Sequence, residues 1–205
     1  MMTRFSSTRK LLWLFLLLWI VAGCTGTSPP STFYLLSAVP ESARSMEFAS
    51  GAAPPIVLGP VTLPAYLDRT QIVTRAGDSE LHIDEFHRWG EPLKDAVYRV
   101  LQENLSVMLG RADIYTYPQA PRTIEAVQVI IDVIRFDIEA GGDAVLVAFW
   151  SIANERDGFP SEKRKAVHRA TPPSSAPRDR VQAQSQTLTA LSQEIAAALR
   201  AKVSP

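Results

Sequence analysis

The sequence predicts an α+β fold: a single domain with a mostly antiparallel mixed sheet and two long amphipathic helices packed on it. Apolar residues recur every three or four positions in residues 92–109 and 179–202, which is the period of an amphipathic helix. Apolar runs of strand length lie before and between these stretches. We expect both helices to lie on one face of the sheet, because each has one apolar side.

Composition and charge exclude several classes of protein. The 205-residue chain is 46% hydrophobic and 20% charged, which is typical of a globular protein. Loss of residues 1–23 removes Arg4, Arg9 and Lys10, which lowers the basic residues from 21 to 18 against 21 acidic residues, a net charge of −3. We therefore expect no nucleic-acid partner. The single cysteine excludes a disulfide and a cysteine-based metal site.

Residues 1–23 have the order of a lipoprotein signal peptide. The basic segment MMTRFSSTRK precedes the apolar run LLWLFLLLWIVA at residues 11–22. At about 1.5 Å per residue this run spans roughly 18 Å, well short of a bilayer core of roughly 30 Å. A cleaved signal therefore fits better than the alternative, a permanent transmembrane anchor.

Val21-Ala22-Gly23-Cys24 resembles a bacterial lipobox. Ala22 and Gly23 are small, and Cys24 is the only thiol, so a lipidation site is favoured over an inert buried cysteine. The resemblance implies cleavage before Cys24 and its acylation, palmitate included, and two or more acyl chains hold a protein stably on a membrane. Thr25 stands where enteric inner-membrane lipoproteins carry aspartate, which favours the outer membrane, facing the periplasm.

Residues 24–55 are predicted to form the lipidated N-terminus, a tether and a loop with a short strand. TGTSPPS at residues 25–31 is the polar tether, and Phe33–Leu36 is the strand. Residues 40–55 are rich in Pro, Ala, Ser and Gly, as loops are. The α+β domain then occupies residues 56–203.

Seven strands are predicted within this domain. They are, in chain order, Ile56–Val61, Gln71–Arg75, Glu80–Asp84, Ile114–Tyr117, Val127–Ile138, Ala144–Ile152 and Lys163–Arg169. Residues 76–79 and 140–143 contain glycine and join neighbouring strands as hairpin turns. Ala144–Ile152 is apolar on both faces, so we expect it to be central and covered on both sides.

The two helices have recognisable features. Pro92 suits a first helical position and Gly110 a left-handed end, so the first helix is predicted over residues 92–109, with Asn104 as the one polar residue on its apolar side. In the second, over Asp179–Lys202, apolar residues fill one side and Gln, Ser and Thr much of the other.

Four stretches resemble the paraquat-inducible protein C (PqiC) family of ABC- and MCE-type transport auxiliary lipoproteins. They follow the lipobox in family order: FYLL at residues 33–36, GPVTLPAYLDR at 59–69 running into QIVTR at 71–75, RWGEPL at 88–93, and LSQEIA at 191–196. Gly90 departs from the family, which more often has alanine there. The resemblance implies an outer-membrane lipoprotein that docks a membrane-spanning MCE partner in lipid transport. It also implies homo-oligomers, rings included.

No residue pattern indicates catalysis, a metal or a cofactor. Residues 82–87 gather two histidines, His82 and His87, and two acids, Asp84 and Glu85, but their spacing matches no metal motif, and His87 is expected at a turn beyond the strand. There is no nucleophile elbow and no phosphate loop before a helix. Four acids in one predicted hairpin are interpreted as its polar face: Asp132, Asp137, Glu139 and Asp143.

The proline-broken segment after the first domain strand is a candidate partner interface. Leu63, Tyr66 and Leu67 could form a docking surface, or could instead cover the open end of the sheet. Trp89 could be an interface hot spot or a core residue at the helix start. Arg69 could pair with Glu91 or Asp84 to fix the loop.

Three functions remain open at this point. The first is a non-enzymatic docking scaffold for an MCE-domain protein. The second is a periplasmic lipid-binding carrier, which would need an apolar cavity. The third, a periplasmic hydrolase, is disfavoured because no catalytic constellation is present.

Overall fold

A computed structural model describes residues 28–40, 54–119, 126–154 and 162–203. The chain divides into two compact units, Met1–Pro30 and Ser31–Pro205. In the first unit only residues 28–30 are described, and they are exposed. The predicted signal segment and Cys24 lie outside the described residues. Within the described ranges, no helix is long and apolar enough to span a membrane.

The described part of the second unit contains eight strands and two helices. The strands are β1 (Thr32–Tyr34), β2 (Ile56–Thr62), β3 (Gln71–Arg75), β4 (Leu81–Trp89), β5 (Ile114–Thr116), β6 (Val127–Ile138), β7 (Ala144–Asn154) and β8 (Arg164–Ala170). The helices are α1 (Leu93–Leu109) and α2 (Pro177–Val203), and a 3₁₀ turn spans Ala65–Leu67. Strand β4 continues five residues beyond its predicted end at Asp84, so the prediction of a turn at His87 is wrong.

Strand β6 is the centre of the sheet. Strand β7 pairs with it antiparallel from Val127 to Ile138 and therefore occupies one whole edge. On the other edge, β2 pairs in parallel with residues 127–132, and β3 meets Ile138. Strand β5 extends the sheet beyond β2, β8 beyond β7, and β4 and β1 beyond β3.

The α+β class with a mixed sheet is confirmed. Among the described strands, three pairings are antiparallel, namely β3–β4, β6–β7 and β7–β8, and the β6–β7 register is the longest of all. Four pairings are parallel: β1–β4, β2–β5, β2–β6 and β3–β6. The antiparallel part follows from short turns, whereas the parallel part needs crossovers that a local pattern does not reveal.

Both helices pack on one face of the sheet, as predicted. The register places Ile131, Trp150 and Val61 on this face, and they belong to one core cluster with apolar residues of both helices. Two polar contacts fix the helices there: the Val61 N–H donates to the Tyr98 hydroxyl of α1 at 2.8 Å, and Trp150 Nε1 donates to Glu194 of α2 at 3.2 Å.

A glycine in β2 allows α1 to approach the sheet this closely. Gly59 has φ of +113°, and a Cβ there would lie 2.6 Å from the Tyr98 hydroxyl. Its carbonyl accepts a hydrogen bond from Gln128 Nε2 at 2.8 Å, which ties the kinked strand to β6. Only glycine adopts this backbone without strain and leaves room for the tyrosine.

Helix α2 buries small polar residues, contrary to the expectation that they lie away from its apolar side. Ser185, Thr187 and Ser192 are all at most 5% exposed. The Ser185 and Ser192 hydroxyls donate to the carbonyls of Val181 and Leu188, four residues earlier, at 3.0 and 2.8 Å. Because the helix itself satisfies these hydroxyls, the side chains can be buried at little cost.

Asn104, the polar residue on the apolar side of α1, joins three segments. Its Oδ1 accepts the Val39 N–H at 2.8 Å, and its Nδ2 donates to the Ser192 hydroxyl at 3.2 Å. The side chain is fully buried. The amide therefore holds the segment after β1 and helix α2 against α1.

We expect Asn104→Leu to lower the free energy of unfolding by about 1–3 kcal/mol, because it leaves the Val39 N–H without its partner and removes the hydrogen bond to the Ser192 hydroxyl. Urea denaturation of the purified protein measures the loss. Met108→Leu, a volume-conserving change on the same helix, should cost less than about 1.5 kcal/mol. Equal stability of N104L and the parent protein would contradict this role.

Candidate functional site

The sheet face opposite the helices is the candidate functional surface, and we call it the open face. The register places Val145, Val147 and Phe149 of β7 on this face, since their neighbours Leu146 and Ala148 face the helices. Val145 is buried, whereas Val147 and Phe149 are half-buried. Strand β7 is indeed flanked by strands on both edges. The prediction that it is covered on both faces is wrong for Val147 and Phe149, because both described helices pack on the other face.

Four apolar residues form a strip along the open face: Ile134, Val147, Phe149 and Val167. Val167 is the register partner of Val147 and is 52% exposed. Ile134 is the extra residue of a bulge in β6, between Val133 and Arg135, and is 43% exposed. The bulge turns this side chain out of the core that Val133 enters. The apolar strip thus draws residues from three neighbouring strands, β6, β7 and β8.

Charged residues border the apolar strip. The Lys163 ammonium lies 4.7 Å from the centre of the Phe149 ring and 3.5 Å from the Asp132 carboxylate. Asp132 and Lys165 are the register partners of that phenylalanine on β6 and β8. Lys165 is exposed, as is Arg169 at the other end of the strand. Strand β8 lies at an edge of the described sheet, and its charges discourage pairing with another sheet edge.

A buried carboxylate, Asp137, lies at one end of the open face. It accepts a hydrogen bond from the Tyr66 hydroxyl at 2.8 Å and pairs with Arg75 at 3.1 Å. Arg135 binds its other oxygen at 2.7 Å. The Asp137 side chain is 0% exposed, while the two arginines are 20% and 26% exposed. The arginines therefore compensate a charge that would otherwise be costly to bury.

The charges continue outward from Asp137 to Glu139. Arg135 also contacts Glu139 at 3.2 Å, and Arg169 binds the same carboxylate at 2.6 Å. Three arginines thus surround two carboxylates, which leaves one excess positive charge in this network. Both carboxylates are held by arginines, so the cluster fixes strands β3, β6 and β8 and offers no free general base.

The environment shifts the ionisation of this cluster. Burial raises the pKa of Asp137, but hydrogen bonds from Arg135, Tyr66 and Arg75 outweigh it and hold that pKa below the ordinary value. Burial, together with the neighbouring Asp137 carboxylate, raises the pKa of Tyr66 to about 12. Tyr66 therefore stays protonated and acts as a hydrogen-bond donor.

The five residues predicted to form a partner interface differ in their exposure to solvent. Leu67 and Trp89 are only 3% and 5% exposed, so their assignment to a docking surface is corrected: both are core residues. Leu63 and Tyr66 are half-buried and pack against the core. Only Arg69 is exposed, and its Nε donates to the Tyr66 carbonyl at 2.9 Å.

Arg69 does not take either of its predicted acidic partners. Glu91 pairs with Arg99 at 2.6 Å, and Asp84 lies 2.7 Å from His87 Nδ1. Partial burial raises the pKa of Asp84, but hydrogen bonds from His87 and two backbone N–H groups outweigh it and lower that pKa. Within the described ranges, no group of three or more His, Cys, Asp or Glu residues could hold a metal ion.

The Asp137 cluster was missed by sequence reasoning, which placed this residue on a polar hairpin face. No local signal singles out Asp137: Asp132 also stands between two apolar residues of the same strand, yet its side chain is 44% exposed. The partners that bury Asp137 come from β3 and from the 3₁₀ turn.

The described residues define a class of protein first: an α+β domain whose two described helices pack on one face of the sheet, with arginines that pair with both carboxylates of a charge cluster on the other face. The chain belongs to a family described as the ABC-type transport auxiliary lipoprotein component, whose model matches residues 34–196. The PqiC-like resemblance is thereby confirmed. The family is one of transport lipoproteins and not a known enzyme family.

Solved structures share the fold. One, an uncharacterized protein, superposes with a TM-score of 0.67 at 19% identity, covering 83% of this chain and 99% of its own. Another, a Xanthomonas campestris protein of the DUF330 family, has a TM-score of 0.66 at 16% identity, with 82% and 94% covered. A search of curated proteins found no significant match.

We expect Asp137→Asn to lower the free energy of unfolding by roughly 2–3 kcal/mol at neutral pH, because two partly buried arginines lose their counter-charge. Asp132→Asn, on the same strand but with a side chain 44% exposed, is the matched control. It should change stability by no more than about 0.5 kcal/mol. Denaturation curves with equal losses for both variants would refute the central position of Asp137.

The stability of the parent protein should fall in acid. The folded pKa of Asp137 lies below the ordinary value of 3.8, so its contribution is complete above that value and is lost as pH falls through the folded pKa. D137N should therefore lose less stability than the parent protein below about pH 4. Parallel pH profiles of unfolding midpoints for the two proteins would contradict this.

Proposed function

We propose that this protein is an outer-membrane lipoprotein subunit of an MCE/ABC-type intermembrane lipid transport system. In this proposal it acts as a non-enzymatic docking scaffold for the MCE-domain partner and supports envelope integrity. The observation that carries the proposal is the open face, where an apolar strip lies between cationic residues. Membership in a transport auxiliary lipoprotein family supplies the biological setting.

The chemistry of the open face fits a protein partner. Protein interfaces combine an apolar centre with a polar rim, and arginine is enriched in them. Here Ile134 and Val167 supply the exposed apolar centre, and Lys165 lies on the same strand as Val167. Arg169, further along that strand, is paired with Glu139. A partner surface with apolar and acidic residues would complement this arrangement. A homo-oligomer, including a ring, would present several such faces to one partner.

The alternative function, a periplasmic lipid carrier, is supported less well. A groove of about 420 Å³ lies between residues 34–40 and the first turns of α2. That volume is within the range of ligand pockets. Most of its wall is apolar, with Ser37, Gln182 and Gln186 among the polar lining residues, but the groove is open to solvent on one side and would enclose an acyl chain only in part. Co-purified lipid detected by mass spectrometry would favour the carrier.

Anchoring through Cys24 is part of the proposal. We expect Cys24→Ser to remain an uncleaved precursor that takes up no radiolabelled palmitate, because the thiol that forms the thioether bond is missing. Gel mobility and label incorporation in cells measure both effects. Thr25→Ser, next to the site, should be processed normally. Normal cleavage and labelling of C24S would refute the assignment.

Docking is tested on the open face itself. We expect Val167→Asp and Ile134→Asp each to reduce recovery of the MCE-domain protein about tenfold in a crosslinked pull-down, corresponding to roughly 1.4 kcal/mol of binding energy. Tyr117→Asp, at another surface position with 50% exposure, is the matched control and should bind normally. Undiminished recovery with both strip variants, or no MCE protein recovered by the parent, would overturn the proposal.

A further inference from the structure

A second exposed apolar surface lies at the start of the folded domain. Phe33 and Leu35 are 65% and 57% exposed, the highest values among the large hydrophobic residues that the structure describes. Phe86, which is 40% exposed, directly precedes His87, the register partner of Thr32. We call these three residues the terminal patch.

The backbone conformation of this segment directs the side chains of Phe33 and Leu35 away from the core. In β1 the side chains alternate, so Tyr34 turns inward, where it packs against the core and lies 5.8 Å from the His87 ring. The Tyr34 carbonyl accepts the Gly90 N–H at 2.8 Å, and Leu36 beyond it is 1% exposed. These inward contacts fix the backbone of the segment, and the fixed backbone directs Phe33 and Leu35 towards solvent.

The chain on the N-terminal side of the patch limits what can cover it. Nine residue steps separate Cys24 from Phe33. Fully extended they reach about 30 Å, and as a flexible coil roughly 15–18 Å. A lipid on Cys24 would therefore hold the patch within about 30 Å of the membrane surface, so that surface is always within reach of the patch.

The charge pattern also favours a lipid surface. Residues 25–40 contain no charged side chain, and the first acid after the lipobox is Glu41. An uncharged segment loses little hydration when it enters a lipid headgroup layer. Arg88, the register partner of Phe33, is partly exposed and pairs with Glu85 at 3.5 Å, so this pair adds no net charge beside the patch. Exposed Phe and Leu side chains are typical of the apolar side of interfacial membrane contacts.

We propose that Phe33 and Leu35, with Phe86 beside them, form a membrane-contact surface that seats the folded domain on phospholipid next to its own anchor. The seat is shallow, because β1 is an edge strand whose free backbone groups must remain hydrated. The side chains enter the headgroup and upper acyl layer, and the strand stays above it. This inference rests on the proposed lipidation of Cys24.

The experiment uses the full lipoprotein, expressed, processed and reconstituted into vesicles of phosphatidylethanolamine and phosphatidylglycerol. The vesicles also contain phosphatidylcholine brominated either near the headgroup or near the chain ends. Phe33→Trp and Leu35→Trp report on the patch, and Tyr117→Trp, at 50% exposure, is the control. The domain's own Trp89 and Trp150 are buried, and the spectrum of the parent protein is subtracted.

We expect the emission of F33W and L35W to shift to shorter wavelength and to be quenched, more strongly by the shallow bromines than by the deep ones. The emission of Y117W should remain that of a residue in water. If the parent floats with the vesicles but quenching is equal at all three positions, the proposed membrane contact of the terminal patch is wrong, while the lipid anchor stands. Crosslinking of Phe33 to a second copy in place of quenching would also overturn that contact. Failure of the parent to float would overturn the anchor as well.

Discussion

Burying one face of β6 beneath two helices is the constraint on which the rest of the domain depends. Strands β2, β3 and β7 all pair with β6, and its inward residues belong to the same core cluster as α1 and α2. Because the helices cover only this face of the sheet, the other face needs polar or paired charged groups that are compatible with water. The ion pairs of Asp137 meet that need at one end, where Tyr66 and Arg75 join the 3₁₀ turn and β3 to the central strand.

Buried polar groups in this domain fix the positions of neighbouring chain segments through hydrogen bonds. Asn104 fixes the segment after β1, Tyr98 fixes the kink at Gly59, and Asp137 fixes the turn that carries Tyr66. In each case a buried polar atom has a partner distant in sequence, so misplacing either segment would leave that atom unsatisfied. Rigid elements then present two outward apolar surfaces, the open face and the terminal patch, which lie on different strands.

Sequence periodicity predicted the helices and most strands within a few residues, because amphipathic patterns depend only on near neighbours. It also predicted that the helices share one face. It failed where the outcome depended on distant contacts. Leu67 and Trp89 lie beside prolines and turns, which suggested exposure, yet the core closes over both. Val147 and Phe149 are as apolar as buried residues, yet both described helices pack on the opposite face.

The sequence by itself determined the lipobox pattern at Cys24, the α+β class and the family resemblance, since each is written in contiguous residues. Only the tertiary structure decided which of four neighbouring acids is buried. Asp137 differs from Asp132 because Tyr66 and Arg75, 71 and 62 positions away, converge on it. The tertiary structure also decided which apolar residues stay exposed. Burial is a property of assembled elements, and no local pattern specifies which segments will meet.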